Sequence, residues 1–156
     1  MKIIMGADIN GFTLKEAVKE FLLENGHEIT DVGVMDKTSP IPYFEVVQKV
    51  AKKIQSGEYE RGILCCGTGM GVSILANKFK GIYAACVESF YAAKQCRAVN
   101  NANVLTMGGW MIGEKLGCDI TKVFLNTELG EDLEDFRKKN VINATKKIKE
   151  IEEDLF

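Results

Sequence analysis

Residues 62–73 read Gly-Ile-Leu-Cys-Cys-Gly-Thr-Gly-Met-Gly-Val-Ser, and this stretch decides the fold class of the chain. Its first part, residues 62–66, is a short continuous apolar run, which is typical of a strand buried on both faces of a parallel sheet. A glycine-rich turn follows at 67–71, and a helix is predicted from there to about residue 79. A strand, a tight turn and a helix in this order form the repeating unit of α/β domains.

The same alternation of short apolar runs and helical stripes extends through most of the chain. Thr13 and Glu16 have the spacing of a capping box at the start of the first helix, and Gly26 stands where a helix-ending glycine belongs. Five strands interleaved with helices predict a doubly wound, Rossmann-like α/β domain, in which a five-stranded parallel sheet carries helices on both faces. We place the strands at residues 2–5, 27–32, 62–66, 82–86 and 103–107.

The last part of the chain has a different character. Residues 1–130 suit a single α/β domain, whereas residues 131–156 carry many charges of both signs. Apolar residues recur in this tail at spacings of three and four, which predicts an amphipathic C-terminal helix. Its apolar face packs either on its own domain or on another subunit. This stripe consists of Val141, Ala144, Ile148, Ile151 and Leu155.

Composition excludes several classes of function. The net charge of −2 argues against nucleic acid as the main partner, because that partner requires a concentrated basic surface. No apolar run approaches ~20 residues and no signal-peptide pattern opens the chain, so neither a membrane span nor export is expected. The five cysteines are odd in number and lie in apolar segments, which indicates reduced thiols in a cytoplasmic protein. The single histidine, His27, excludes a metal site built from several histidines, and we expect no metal.

The ligand crevice of a doubly wound sheet lies at the carboxyl ends of its strands, so the loops after strands one, three, four and five are the candidates. Cys66 ends the third strand beside the glycine turn, whose N–H groups can bind an anion or stabilise an oxyanion. Such a position can activate a thiol as base or nucleophile, although a buried structural cysteine is the alternative. Cys65 points to the opposite face and is expected in the core. A dinucleotide fingerprint is rejected, because the third glycine of that motif is absent and the turn follows the third strand.

Four segments together resemble one family, the type B ribose-5-phosphate isomerases and the galactose-6-phosphate isomerases. The segments are Gly6-Ala7-Asp8, Cys65-Cys66-Gly67-Thr68-Gly69-Met70-Gly71, Ala76-Asn77-Lys78 and Asn100-Asn101-Ala102-Asn103-Val104. The resemblance implies an enzyme that interconverts an aldose and a ketose phosphate through an enediolate, without metal or organic cofactor. It also implies a homodimer or higher oligomer, or an assembly with a related subunit, whose subunits share the active site.

The resemblance implies roles for individual residues as well. Cys66 would be the base that moves the proton, and Thr68 with the loop backbone would stabilise the enediolate oxygen. Asp8 and Asn100 would hold sugar hydroxyls. The loop glycines implied in substrate binding are Gly67, Gly69 and Gly71.

The sequence departs from the family pattern at several positions. The family usually has a histidine after the first-loop aspartate and a ring-opening histidine before the Asn-Asn pair, where this chain has Ile9 and Val99. Trp110 stands in place of an arginine. The C-terminal Gly-Gly-Arg-His segment that supplies phosphate-binding arginines is missing, and the basic residues 137–139 do not reproduce it. His27 falls at the amino edge of the predicted sheet and is no substitute.

Two hypotheses follow from these matches and departures. In the first, the chain is an isomerase that acts through Cys66, either on a short or open-chain sugar phosphate that needs no ring opening or as one subunit of a mixed oligomer. In the second, the chain is a non-catalytic subunit that binds a sugar phosphate. A nucleotide-binding signalling domain of similar fold would need several acidic residues after the first strand, where Asp8 stands alone.

Overall fold

The computed structural model describes the whole chain, Met1–Phe156. Its elements in chain order are β1 (Lys2–Ala7), α1 (Phe12–Glu24), β2 (Glu28–Asp31), α2 (Tyr43–Gln55), β3 (Arg61–Cys66), α3 (Met70–Ala76), β4 (Ala84–Cys86), α4 (Phe90–Ala98), β5 (Val104–Gly108), α5 (Glu114–Asn126) and α6 (Asp135–Leu155). The strands form one parallel sheet in the order β2-β1-β3-β5-β4. The predicted five-stranded parallel sheet is confirmed.

Helices cover both faces of this sheet. Leu14 of α1 and Phe124 of α5 are buried in a core on one face, which α4 also joins. Val46 of α2 and Val72 of α3 are buried in a second core on the other face. Each large side chain buried in this way contributes roughly 1.5–3 kcal/mol of transfer free energy, so the two cores hold the helices to the sheet. The arrangement is the doubly wound one that the sequence predicts.

Strand β3 lies in the middle of the sheet, and its apolar run is explained by burial on both faces. Ile63 and Cys65 belong to the core beneath α1 and α5, whereas Leu64 and Cys66 belong to the core beneath α2 and α3. Cys65 is completely buried, and this burial raises the pKa of its thiol far above the usual range. The prediction that Cys65 is a core residue is confirmed.

The start of α1 differs from the sequence prediction. The N-cap is Gly11 and no side chain caps the helix, so the predicted capping box of Thr13 and Glu16 is wrong. Gly11 packs against the backbone of β3, where a Cβ atom would come within 2.4 Å of the Cys65 carbonyl carbon. This close approach starts the helix before Thr13, and Glu16 instead pairs with lysine side chains. At the other end, Gly26 has a φ of +80°, which confirms it as the helix-ending glycine.

Helix α6 makes few contacts with the rest of the chain. Near its C-terminal end, Glu152 accepts hydrogen bonds from the Gly81 N–H and the Tyr83 hydroxyl, each at 2.7 Å. Both partners precede β4, so this end of α6 lies at the amino edge of the sheet. No residue of α6 is fully buried, and the stripe residues Ile148 and Leu155 are exposed. The amphipathic helix is therefore present, while its role as a separate unit and subunit contact stays a prediction. None of the helices is long and apolar enough to cross a bilayer.

Candidate active site

Three neighbouring strands end together at the carboxyl edge of the sheet, and their loops touch. Gly109, after β5, donates its N–H to the Cys66 carbonyl oxygen at 2.8 Å. A Cβ atom on Gly109 would come within 2.6 Å of the Asn10 carbonyl oxygen in the loop after β1. The small residues in these loops therefore let the three strand ends meet closely at Cys66, at the edge where a doubly wound sheet has its ligand crevice.

Cys66 is the last residue of β3, and its side chain is almost buried at the base of this crevice. Its Sγ atom accepts a hydrogen bond from the Gly69 N–H at 3.1 Å. Gly69 adopts a left-handed conformation with φ of +77°, which turns the chain back toward the thiol. The turn thus holds a backbone donor directly against the Cys66 sulfur.

The glycine turn also presents unpaired backbone donors. The N–H groups of Gly67, Thr68, Gly71 and Val72 donate to no backbone acceptor in the chain, while the Met70 N–H bonds to Thr68 Oγ1 at 3.2 Å. Several N–H groups in one turn form a concavity that binds anions or stabilises an oxyanion. The structure thus places Cys66, Thr68, Gly67, Gly69 and Gly71 in one crevice, as the sequence predicts. Their chemical roles stay predictions.

Asp8 follows β1 at the same edge, and its carboxylate is nearly buried. Its Oδ1 atom accepts hydrogen bonds from the N–H groups of Asn10 and Gly11, each at 3.0 Å. One carboxylate oxygen therefore orders the first loop by holding two of its backbone N–H groups. A role for the other oxygen in holding a sugar hydroxyl stays a prediction.

Asn100 does not lie in this crevice. It follows α4, which runs from the carboxyl end of β4 back to the amino end of β5. Asn100 lines a small cavity with Tyr83 and with Thr145 of α6, at the opposite edge of the sheet from Cys66. Within one chain, Asn100 and Cys66 cannot hold the same small substrate. The predicted role of Asn100 therefore requires a second copy of the chain or a related subunit.

The structure adds three residues that the sequence analysis did not include in the site. Tyr43 lies beside the turn, since a Cβ atom on Gly71 would be 3.4 Å from its ring. It follows Pro42 after β2, outside the four loops that the sequence analysis predicts to form the crevice. Trp110 covers Gly67, and Cys86 at the end of β4 approaches the Thr68 carbonyl oxygen at 3.8 Å. Partial burial raises the pKa of the Cys86 thiol.

His27 lies at the amino edge, directly before β2. Partial burial and the nearby positive N-terminus lower the pKa of its imidazole. Its position confirms that the chain's own carboxyl-edge crevice contains no imidazole. The structure also contains no group of three or more His, Cys, Asp or Glu side chains placed to hold one metal ion.

Comparison with known families identifies the family of the chain. A family model described as Ribose/Galactose Isomerase matches residues 3–143. The chain belongs to the ribose/galactose isomerase family. The resemblance carried by the glycine turn and the Asn-Asn segment is thereby confirmed, and the chain is an aldose–ketose sugar isomerase.

Curated and solved relatives of this isomerase match along its length. It is 53% identical over 156 residues to the 4-deoxy-4-sulfo-D-erythrose isomerase of Clostridium sp., covering 100% of this chain and 98% of that protein. It is 38% identical over 128 residues to the ribose-5-P isomerase B of Listeria innocua, covering 82% of this chain and 86% of that one. The solved ribose-5-phosphate isomerase B of Clostridium thermocellum superposes with a TM-score of 0.89 at 36% identity, covering 100% of both chains.

Proposed function

We propose that this isomerase interconverts an open-chain four-carbon aldose and ketose that carry a terminal sulfonate, 4-deoxy-4-sulfo-erythrose and 4-deoxy-4-sulfo-erythrulose. The relative that supports this substrate is named for it and matches the whole chain at 53% identity. Two relatives named for ribose 5-phosphate, from Listeria innocua and Escherichia coli, match at 38% and 36% identity. The proposal takes up the open-chain alternative of the sequence analysis, with a sulfonate in place of a phosphate.

The observation that carries the proposal is a crevice with a thiol and no imidazole. The positions where the family usually has histidines hold Ile9 and Val99. A pentose phosphate exists mainly as a ring and needs an acid and a base to open it. In the sulfonated tetrose, carbon 4 carries sulfur instead of a hydroxyl, so no five-membered ring can close. An enzyme for this sugar has no ring-opening step to catalyse.

The geometry supports a one-base proton transfer. The Cys66 thiolate removes the proton from carbon 2 of the aldose, and the electron pair moves onto the carbonyl oxygen to give an enediolate. The same sulfur returns the proton to carbon 1, while the hydroxyl proton on the oxygen of carbon 2 moves to the oxygen of carbon 1. Atoms and charge balance, and the product is the ketose.

The negative charge of the enediolate develops next to the unpaired donors of the turn. The N–H groups of Gly67 and Thr68 follow Cys66 directly and have no competing backbone acceptor in the chain. Donors fixed by the fold stabilise such a charge without reorganising, which is the largest contribution in many enzymes. In this proposal, the free carboxylate oxygen of Asp8 accepts a bond from a sugar hydroxyl.

The complete site requires two copies of the chain in this proposal. Asn100 lies at the amino edge together with the C-terminal half of α6, far from the Cys66 of its own chain. If a second copy presents this edge to the crevice, Asn100 reaches the substrate and α6 covers part of its apolar stripe. The oligomer is then a symmetric dimer with two shared sites.

The test is isomerisation in heavy water with the purified chain alone. The chain should convert 4-deoxy-4-sulfo-erythrulose to the aldose and place deuterium on the carbon next to the carbonyl. Cys66→Ala should lose conversion by at least about 10³-fold, because no other group at the crevice replaces the base. Cys65→Ala, one residue earlier on the opposite face, should keep conversion within a few fold.

Three results would contradict the proposal. Full activity in Cys66→Ala would remove the thiol from the mechanism. Turnover of ribose 5-phosphate with no turnover of the four-carbon sulfonate would reject the substrate. No exchange with any sugar, together with saturable binding, would favour the non-catalytic subunit instead.

A further inference from the structure

Trp110 is held at the mouth of the crevice by the loop that carries the base. The Gly109 N–H donates to the Cys66 carbonyl oxygen at 2.8 Å, and the Trp110 N–H donates to the Gly67 carbonyl oxygen at 2.9 Å. These two bonds fix the start of the fifth loop relative to the end of β3. The position of Trp110 is therefore set with respect to the thiol.

The indole ring lies flat against the glycine turn. A Cβ atom on Gly67 would be 2.8 Å from each of the Cδ2, Cε2 and Cε3 atoms of Trp110, so Gly67 faces the flat side of the ring. The residue is nevertheless 69% exposed. Because most of its apolar surface remains in water, core packing does not explain why a tryptophan is placed here.

The groove beside Trp110 is lined by no positively charged side chain. A cavity of about 540 Å³ lies between the first and fifth loops, and Trp110 forms part of its wall. Its remaining lining includes Asn10, Thr13 and Leu14, and Glu114 is its only charged residue. The carboxylate repels an anion, and the apolar ring removes water from it. No positive charge compensates for either effect, so a multiply charged group is disfavoured here.

The two common terminal groups of small sugars differ in charge. A sulfonate carries one negative charge, whereas a phosphate monoester carries about 1.5 to 2 at neutral pH. The cost of removing an ion from water grows with the square of its charge. A wall formed by an indole therefore penalises the phosphate far more than the sulfonate, and the indole N–H supplies a neutral donor.

We propose that Trp110 is a specificity-determining residue, whose ring forms an apolar wall beside the base and selects a sulfonate monoanion over a phosphate dianion. This inference rests on the proposed function, since it explains the preference of the same site. It predicts that exchanging the ring for a cation reverses the preference, while another aromatic ring preserves it.

The kinetic test compares 4-deoxy-4-sulfo-erythrose with erythrose 4-phosphate, because both have four carbons and neither can close a five-membered ring. The wild-type chain should have the higher kcat/KM for the sulfonate. In Trp110→Arg the ratio of sulfonate to phosphate kcat/KM should fall by about tenfold or more, mainly through a lower KM for the phosphate, because arginine pairs with phosphate in a bidentate geometry. Trp110→Phe should retain the sulfonate preference.

A binding test does not depend on turnover. Trp110 is the only tryptophan of the chain, so its fluorescence reports a ligand next to the ring. The sulfonated tetritol and erythritol 4-phosphate, which cannot isomerise, should both be titrated, and the sulfonate should change the emission at the lower concentration. The same titration followed calorimetrically extends the comparison to Trp110→Arg.

The outcomes separate the two proposals. An unchanged kcat/KM ratio in a folded Trp110→Arg, or stronger binding of the phosphate to the wild-type chain, overturns the role of Trp110 and leaves the isomerase intact. If neither sugar is turned over but the sulfonate binds more tightly than the phosphate and changes the Trp110 emission, the proposed reaction is wrong. The role of Trp110 in selecting the sulfonate is then supported. Absence of both turnover and binding rejects both.

Discussion

At the scale of single residues, Gly69 connects backbone conformation to chemistry. Its φ of +77° is unfavourable for other L-residues, and a Cβ atom there would come within 2.7 Å of the Met107 carbonyl carbon. Gly69→Ala should lower the free energy of unfolding by more than the ~1–2 kcal/mol expected from the left-handed conformation alone. It should also reduce kcat strongly, because the N–H that bonds the Cys66 sulfur would shift. Denaturant unfolding and steady-state kinetics measure the two effects.

Gly57 provides the matched control for this substitution. Its φ of +76° is almost the same, but nothing lies within 4 Å of an added Cβ atom, and the residue is remote from the crevice. Gly57→Ala should therefore show the conformational loss of about 1–2 kcal/mol with unchanged kinetics. Equal stability losses in the two variants would show that the close approach at Gly69 relaxes easily and that our account of the turn is wrong.

His27 permits a titration without ambiguity, because it is the only histidine. Burial and the positive N-terminus lower the pKa of its imidazole below the usual value of 6.5. The native state then binds the proton less readily than the unfolded state. The stability that His27 contributes is therefore present above pH 6.5 and is lost as the pH falls through the lower native pKa.

Two measurements check this prediction. The imidazole proton signals in an NMR titration should give a midpoint below that of a model peptide. In His27→Gln the free energy of unfolding should vary less between pH 7 and about pH 5 than in the wild-type chain. The kinetics of His27→Gln should stay unchanged. His27 and Asn100 both lie at the amino edge, but His27 precedes β2 at one end of the strand order and Asn100 precedes β5 near the other end. A midpoint above the peptide value would contradict the expected environment.

Some of the site could be predicted residue by residue and some could not. Cys66 and the glycine turn are contiguous in sequence, so local pattern is enough to bring them together. Trp110 joins the turn only through the pairing of β3 with β5, which places Gly108 opposite Cys66. Tyr43 could not be predicted as a site residue, because the loop after β2 is long and Tyr43 is the first residue of α2. An aromatic residue in a helix usually indicates core packing.

At the scale of elements, α6 is attached to its domain by a few polar contacts. The Tyr83 hydroxyl donates to Glu152 at 2.7 Å, and burial together with this bond raises the pKa of the phenol to about 12. Because the native pKa is raised, the contribution of this group to stability is complete below pH 10 and is lost as the pH rises toward 12. An absorbance titration should find one of the four tyrosines ionising late.

Tyr83→Phe should release the C-terminal half of α6. Amide hydrogen exchange in residues 145–155 should quicken in this variant, with a stability loss of about 0.5–1.5 kcal/mol for one hydrogen bond. Tyr59→Phe is the control, because it removes another tyrosine hydroxyl bond, to Thr30 Oγ1 at 2.7 Å, in which no residue of α6 takes part. Faster exchange in α6 for both variants would contradict a local attachment through Tyr83.

The element pattern was readable because burial dictates it. Strands β1, β3 and β5 are buried on both faces and are mostly apolar, with Thr106 of β5 as a buried polar exception. Helix α2 alternates buried valines with exposed lysines. The capping box failed because a long-range contact, Gly11 against β3, outweighed a local preference. The order β4, α4, β5 already predicts that Asn100, after α4, lies at the amino edge of the sheet. The resemblance gave Asn100 a role in the site but did not indicate this edge.

At the scale of the whole molecule, the separation of Cys66 and Asn100 leads to a prediction about assembly. If two copies share each site, a site takes Cys66 from one copy and Asn100 from the other. Cys66→Ala and Asn100→Ala should each be impaired as homodimers. In a mixed dimer of the two variants, one site receives both substitutions and the other receives none. Random mixing should therefore restore about a quarter of the wild-type activity, since half of the dimers are mixed and each has one intact site.

The mixing experiment needs subunit exchange, which brief denaturant treatment and refolding of the combined variants provides. Cys66→Ala mixed with Cys65→Ala is the reference for recovery after refolding, because half of its sites should be intact whether or not the subunits exchange. Sedimentation should find a dimer throughout. Activity that stays at the average of the two separate variants after proven exchange would place Asn100 outside the site. The crevice at the carboxyl edge would then have to complete catalysis from a single chain, and the exposed stripe of α6 would need another explanation.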